Sequence, residues 1–200
     1  MAVRICRQEH RLLLAIGYES GYTSLWCNGK GESRWKLIYT TKAHTQPILS
    51  LDIAMSQKVY FTSSADAIVA SNPLSVIETR STEPLKQMQT KHSGQQSLTV
   101  RKDEKIFATA GWDGRVRVYS VKTMRELAVL KWHKEGCYAV AFADPDLTFS
   151  KGDAEQSNSE GQVTQISEQS VQQRRDHKAH TTHWLAAGSK DGKVSLWDIY

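Results

Sequence analysis

The chain has 200 residues, 40% of them hydrophobic, and its 26 Lys and Arg against 21 Asp and Glu give a formal charge of +5. That apolar content excludes a fibrous or fully disordered protein and suffices for an ordinary hydrophobic core in one or two domains. The three cysteines are odd in number, widely spaced and never in a CxxC pair, which argues against a disulfide framework and against a zinc cluster.

Residues 1–41 predict four short β-strands. The first is the alternating stretch at residues 1–7, and a hairpin over Leu12–Trp26 follows it, with the turn at Glu19-Ser20-Gly21. After a polar, Gly-rich loop, another β-prone run covers Trp35–Thr41. Four strands within about 40 residues have the size of one blade of a β-propeller.

Residues 42–90 predict a second unit of the same kind. A strand at Pro47–Ala54 leads into a hairpin over Lys58–Ser71, whose turn holds Asp66 but no glycine. The outer strand of this unit is placed between Ser75 and Gln89, in a proline-containing stretch that suits an edge strand better than a central one.

Residues 91–132 contain the clearest copy of the repeat. The strand Ser97–Val100 precedes a hairpin over Lys105–Ser120, in which Asp113-Gly114 supplies a tight turn and alternating apolar residues follow it. The outer strand is predicted at Glu126–Trp132.

Residues 133–200 predict a fourth unit with a long interruption. The strand Cys137–Ala143 is followed by the polar stretch 144–182, which we predict to be a disordered insertion because it has too little apolar surface to offset its ordering entropy. A short helix around Gln162–Arg174 is the alternative for part of it. The hairpin His183–Tyr200 then resumes the pattern, and no fourth strand follows it. The sequence therefore predicts an all-β propeller arc of about four blades, with the last blade lacking its outer strand.

The repeated unit resembles the WD repeat, and the dipeptide itself is intact at Trp197-Asp198. The resemblance implies a buried hydrogen-bonded network in each blade, formed by a His, a Ser or Thr, an Asp and a Trp. Its expected members are His44, Thr62 and Asp66; His92, Thr109 and Asp113; and His133, Asp191 and Trp197. We expect each network to be incomplete, because the second unit lacks the Trp, Tyr119 replaces it in the third and Ala187 stands at the hydroxyl position of the fourth.

A longer resemblance involves the stretch from residue 113 to 143 and the run LAAGSKDGKVSLWDIY at residues 185–200. These stretches, with GYESG at residues 17–21, resemble the fungal ASTRA-associated WD-repeat proteins and their animal relatives, the guanine nucleotide-binding protein beta subunit-like proteins. The resemblance implies a non-enzymatic scaffold in the nucleus, and also in the cytoplasm as an alternative. Its implied partners are protein subunits of a complex tied to chromatin remodelling and to co-chaperone-assisted maturation of phosphatidylinositol-kinase-related kinases.

The resemblance also implies a seven-bladed ring, whereas the sequence predicts about four blades. Two explanations stay open: the chain is the C-terminal half of a longer protein, or it is a half-ring that pairs with a second copy. An open arc would expose both of its terminal blades, so we expect residues 1–200 to self-associate.

Five aromatic residues near predicted loops are candidate protein-binding positions, because aromatic side chains are enriched at interfaces. They are Tyr18, Tyr22, Trp35, Trp112 and Trp132. Trp112 is the most informative of them, since a large apolar side chain has little local reason to occupy a tight turn.

Other chemistries are disfavoured by the sequence. The spacing of His177, His180 and His183 could serve a metal on a helix, but no Cys or carboxylate is suitably placed beside them, and His133 with Cys137 lacks an orienting third group. We therefore predict no enzyme, metal, cofactor or small-molecule substrate. The only apolar run near the start, residues 12–16, is too short for a membrane span.

The positive charge leaves a nucleic-acid-binding module as a rival interpretation. The basic residues alternate with apolar ones along strands, as on a solvated sheet face, so direct contact with nucleic acid is not expected. Two other binding modules also remain as alternatives: a G-protein-beta-like adaptor and a ubiquitin-ligase receptor.

Overall fold

The computed structural model describes residues 1–29, 34–74, 83–92, 94–144 and 171–199. Within these residues the chain forms four antiparallel sheets that follow one another in sequence, together with one helix. Each sheet is a propeller blade, and we number the blades 1 to 4 in chain order. The predicted fold class, an all-β propeller arc, is confirmed.

Each blade is a meander in which consecutive strands pair side by side. Blade 1 comprises β1 (Ala2–Gln8), β2 (Arg11–Gly17), β3 (Tyr22–Asn28) and β4 (Lys36–Lys42). Blade 2 comprises β5 (Ile48–Ala54), β6 (Val59–Ser64), β7 (Ile68–Pro73) and β8 (Lys86–Gln89). Blade 3 comprises β9 (Gln95–Val100), β10 (Ile106–Gly111), β11 (Arg115–Ser120) and β12 (Glu126–Lys131). Blade 4, among the described residues, comprises β13 (Cys137–Phe142), β14 (Trp184–Ser189) and β15 (Val194–Asp198).

The hydrophobic core lies between the blades. One cluster joins Leu13 and Leu25 of blade 1 to Tyr60 of blade 2, and all three side chains are fully buried. A second cluster joins blades 2 and 3 through Phe61 and Phe107, whose rings stack with centroids 4.5 Å apart. A third joins blades 3 and 4. Blades 2 and 3 thus each bury a different apolar set on each face, which period-two alternation along the strands makes possible.

Hydrogen bonds between blades fix their relative positions. Asp52 accepts a bond from the backbone N–H of Val100 at 2.8 Å, which joins the first strands of blades 2 and 3. At the ends of the same blades, the Glu104 carboxylate accepts bonds from the N–H groups of Met55 and Ser56 at 3.0 and 2.7 Å. These polar contacts add directional bonds to the apolar packing between blades 2 and 3.

Each of the last three blades has a β-bulge near the start of its first strand. The register between neighbouring strands skips one residue there, and the skipped residues are Leu49, Gln96 and Tyr138. A bulge turns its extra residue out of the ladder. The last three blades therefore each have one residue, at the same place in the first strand, that lies out of the ladder.

The polar insertion predicted at 144–182 lies mainly outside the described residues, since 145–170 are not described. Its last part differs from the expectation of disorder, because Val171–Thr181 forms helix α1. The indole of Trp184 donates to the carbonyl of Ala179 at 3.2 Å, and Lys178 pairs with Asp198 at 3.5 Å, which hold this helix against blade 4. The helix that we allowed at Gln162–Arg174 thus overlaps α1 only at residues 171–174. No helix in the described part of the chain is long and apolar enough to cross a membrane.

The face of blade 4 that lies at the end of the arc is exposed. Val116 and Val118 in blade 3 are 1% and 2% exposed because blade 4 covers them. The matching residues of blade 4, Val194 and Leu196, are 67% and 66% exposed. The same position in the repeat is therefore buried in blade 3 and exposed in blade 4. We expect self-association because a second copy could cover these exposed apolar side chains.

Candidate protein-interaction surface

One edge of the arc gathers two kinds of connection, and we call it the upper edge. It holds the turns between the second and third strands of each blade, at 18–21, 65–67, 112–114 and 190–193. It also holds the described residues of the connections between blades, at 43–47, at 90–92 with 94, and at 132–136. Backbone hydrogen bonds tie the two kinds together, as from Trp112 N to Gly94 O at 2.8 Å and from Lys190 N to Gly136 O at 2.9 Å.

In blade 2 the upper edge is supported by a continuous chain of buried hydrogen bonds. His44, whose side chain is fully buried, places Nδ1 at 3.2 Å from Asp66 Oδ1 and Nε2 at 2.9 Å from Thr62 Oγ1. Asn72 Nδ2 donates to the same Thr62 oxygen at 3.2 Å. The three predicted residues therefore lie together, and Asn72 stands where a Trp was expected.

The carboxylate of Asp66 is stabilised in its charged form. Burial works against the charge, but the bonds from His44 and from the backbone N–H groups of Thr45 and Ile68 outweigh it, so the pKa of Asp66 is lowered. This arrangement favours the tautomer in which Nδ1 of His44 carries the proton and Nε2 accepts from Thr62.

The hydrogen-bonded network of blade 4 differs from the one predicted, because its hydroxyl group comes from a different strand. Ala187 cannot bond, but Ser195 lies opposite it in the ladder and supplies the missing oxygen. His133 Nε2 lies 2.9 Å from Ser195 Oγ, and Trp197 Nε1 donates to the same oxygen at 2.9 Å. Asp191 is more distant, with Oδ1 at 3.6 Å from His133 Nδ1. The network therefore forms through the third strand instead of the second.

Blade 1 has a similar network through a serine of its third strand, which we did not predict from the sequence. Trp26 Nε1 donates to Ser24 Oγ at 2.9 Å, and the hydroxyl of Tyr18 lies 3.0 Å from the same oxygen. The signal was present in the sequence as Ser-Leu-Trp, which occurs at residues 24–26 and again at 195–197. Tyr18 is thus a half-buried member of this network, and its role as a protein-binding position stays a prediction.

Blade 3 departs furthest from the expected network. His92 does not reach Thr109, which instead donates to Gln95 Oε1 at 2.8 Å. Arg117 lies opposite Thr109 in the ladder, is 2% exposed and forms two bonds to the Asp113 carboxylate, at 3.0 and 2.6 Å. Because the guanidinium neutralises Asp113 from inside the blade, the imidazole is displaced to the surface, with Nδ1 at 3.8 Å from Asp113.

Tyr119, which occupies the expected Trp position of blade 3, belongs to the core. Its ring stacks on Phe107 with centroids 5.0 Å apart, and burial raises its pKa to about 12. Its role is packing between blades 2 and 3.

Trp112 is held on the upper edge by specific contacts. Its Nε1 donates to Gln96 Oε1 at 2.8 Å, and its ring covers Gly94 so closely that a Cβ at that glycine would collide with it. The side chain nevertheless remains 44% exposed. Together with Tyr138 of blade 4, which is 46% exposed, Trp112 and Gln96 line an open cavity of about 360 Å³.

The remaining candidate aromatics are more dispersed. Trp132 is 54% exposed, contacts the His133 ring edge-on and lies under the ammonium group of Lys193, 5.9 Å from the ring centroid. Tyr22 is paired in the same way with Lys42. Trp35 is exposed just before β4, on the outer side of blade 1.

The titratable groups give no support to a catalytic centre. Burial raises the pKa of the Cys137 thiol to about 11, with the charges of Asp113 and Asp191 acting in the same direction, so the thiolate is suppressed. His133 is engaged with Ser195. The described part of the chain also holds no cluster of His, Cys, Asp or Glu with the geometry of a metal site.

Comparison with known structures and families defines the class of protein. The family model "WD domain, G-beta repeat" matches residues 83–120 and 175–198. The structure aligns over its whole length with the crystal structure of the computationally designed Ika4 protein, at a TM-score of 0.61, 16% identity and 90% coverage of that protein. It also aligns with 45% of the designed Ika8 protein at a TM-score of 0.60. The fold and the matched segments together define a partial β-propeller that contains WD repeats.

Particular relatives are found among fungal proteins. The chain is similar over its whole length to ASTRA-associated protein 1 of Aspergillus flavus, at 47% identity, and covers 50% of that protein. Over 96% of the chain's own length, it is 41% identical to ASTRA-associated protein 1 of Schizosaccharomyces pombe. It is 31% identical to guanine nucleotide-binding protein subunit beta-like protein 1 of Mus musculus. The chain spans about half the length of these curated relatives.

Proposed function

We propose that the protein is a non-enzymatic scaffold subunit of an ASTRA-type complex. The observation that carries this proposal is the 47% identity to ASTRA-associated protein 1, which extends over the whole chain. The structure adds a rigid arc with exposed aromatic residues on its upper edge and no catalytic constellation among its described residues, as is typical of a binding module.

Within such a complex, the proposed role is to hold protein subunits together. The processes served are chromatin remodelling in the nucleus and the co-chaperone-assisted maturation of phosphatidylinositol-kinase-related kinases. Partners are bound through side chains on the upper edge, because the blade interiors are committed to packing and to the buried networks.

Affinity purification tests this proposal. The tagged chain is expressed in a fungal cell, and the proteins retained are identified by mass spectrometry. Recovery of ASTRA subunits or kinase co-chaperones is the expected result. Recovery of G-protein gamma subunits alone would favour the adaptor role suggested by the mouse relative, and recovery of nucleic acid without these proteins would refute the proposal.

A further inference from the structure

The cavity between Trp112 and Tyr138 has the construction of a binding site rather than of an accidental surface depression. A Trp in a tight turn leaves a large apolar area in water, which is unfavourable unless something covers it. Here the ring is also locked, because Gln96 fixes its N–H at 2.8 Å and Gly94 leaves room for its face. A rigid aromatic side chain loses little conformational entropy on binding, which is the property of an interface anchor.

The cavity also depends on two blades. Gln96 and Tyr138 are both bulge residues, one in the first strand of blade 3 and one in the first strand of blade 4. Each is turned out of its ladder, and together they complete the cavity around Trp112. The backbone of Gly136 packs directly under Trp112, so the two blades are held in register at this point.

The charges around the cavity are unequal. The turns around it carry Lys134, Lys190 and Lys193 against Asp113, Glu135 and Asp191, and Asp113 is neutralised by Arg117 of strand β11. Arg117 is paired with Asp113 and Glu126, and Asp191 lies against His133. The side chains of Lys134 and Lys190 are exposed and have no opposite charge in contact among the described residues.

We infer that this cavity binds an acidic peptide segment of a partner protein, with one aromatic side chain seated between Trp112 and Tyr138. The inference rests on the proposed scaffold function and names the class of ligand for it. The exposed charges of Lys134 and Lys190 attract the acidic residues on either side of the aromatic anchor. A nucleic acid is the less suitable ligand, because Glu135 and Asp191 interrupt the cationic surface that a phosphate backbone requires.

Titration of the 200-residue chain with short synthetic peptides tests the inference directly. One peptide has a central Phe between Asp and Glu residues, and its control has Lys in place of every acid. Isothermal calorimetry is expected to show binding of the acidic peptide only, weakened by added salt. Trp112→Ala is expected to reduce the affinity roughly tenfold or more, whereas Leu37→Ala, which removes a similarly exposed apolar side chain on blade 1, changes it less than about twofold.

Two further variants test the same binding site in case the Trp112→Ala protein does not fold. Tyr138→Ala and Lys134→Glu change exposed side chains, and both are expected to weaken the acidic peptide while circular dichroism shows an intact fold. Equal binding of the two peptides, no binding, or an oligothymidylate that displaces the acidic peptide would each overturn the inference. The affinity purification is independent of these titrations, so a scaffold that retains ASTRA subunits but binds no acidic peptide would refute this site alone.

Discussion

The ion pair inside blade 3 gives the sharpest test of how the protein is stabilised. Arg117→Leu removes a guanidinium that is 2% exposed and leaves the Asp113 carboxylate without its two hydrogen bonds. Breaking a buried ion pair from one side costs about 3–5 kcal/mol, largely because the remaining charge is stranded. Asp113 retains some contact with water and lies near His92, so we expect the lower end of that range, about 3 kcal/mol.

Urea unfolding followed by far-UV circular dichroism measures this loss. The double variant Arg117→Leu, Asp113→Leu serves as the control, because an apolar pair removes both charges together. We expect it to recover much of the stability lost by Arg117→Leu alone. A single-variant cost below about 1 kcal/mol, the value typical of a surface pair, would refute the view that this interaction is buried and structural.

The same ion pair predicts a pH dependence. Burial alone would raise the pKa of Asp113, but the bonds and charge of Arg117 outweigh it, so the pKa is lowered in the folded protein. A lowered folded-state pKa contributes stability that is fully present above the unfolded value, about 3.9, and is lost as the pH falls through the folded value. The difference between the wild-type chain and Arg117→Leu should therefore be constant near neutral pH and shrink in acid. A difference that grew in acid would contradict this assignment.

Three further predictions concern the network, the core and the end faces. His44→Ala should cost about 2–3 kcal/mol in urea unfolding, since it removes two buried bonds, whereas exposed His92→Ala should cost less than about 0.5 kcal/mol; equal costs would contradict the network assignment. Phe107→Ala should lower stability in thermal unfolding by about 3–5 kcal/mol, because it opens a cavity between blades 2 and 3; a cost below about 1 kcal/mol would contradict that packing role. Leu196→Lys should reduce the self-association that sedimentation velocity measures, because it places a charge on the exposed face of blade 4. Val171→Lys changes an equally exposed residue on helix α1 and should leave self-association unchanged. Unchanged association of the Leu196→Lys variant would contradict a role for this face.

Local chemistry was sufficient to predict the repeating unit. Period-two alternation and the turns at Asp113-Gly114 and Asp191-Gly192 depend only on neighbouring residues, and β10–β11 and β14–β15 form where they indicated. The aromatic residue in the first of these turns, Trp112, was likewise recognisable as unusual from its neighbours alone.

The partners of the polar side chains were decided by tertiary structure. Whether a hydroxyl reaches a buried His depends on which residue lies across the ladder, and so Ser195 compensates for Ala187 while Arg117 displaces His92. The cavity at Trp112 depends in the same way on a bulge in each of two blades. The order of the strands can be predicted from patterns that span a few residues. Contacts across strands and between blades join segments that are far apart in the sequence, so they depend on how those segments pack. For this reason the sequence by itself determined the blades, and only the fold determined the networks and the cavity built from them.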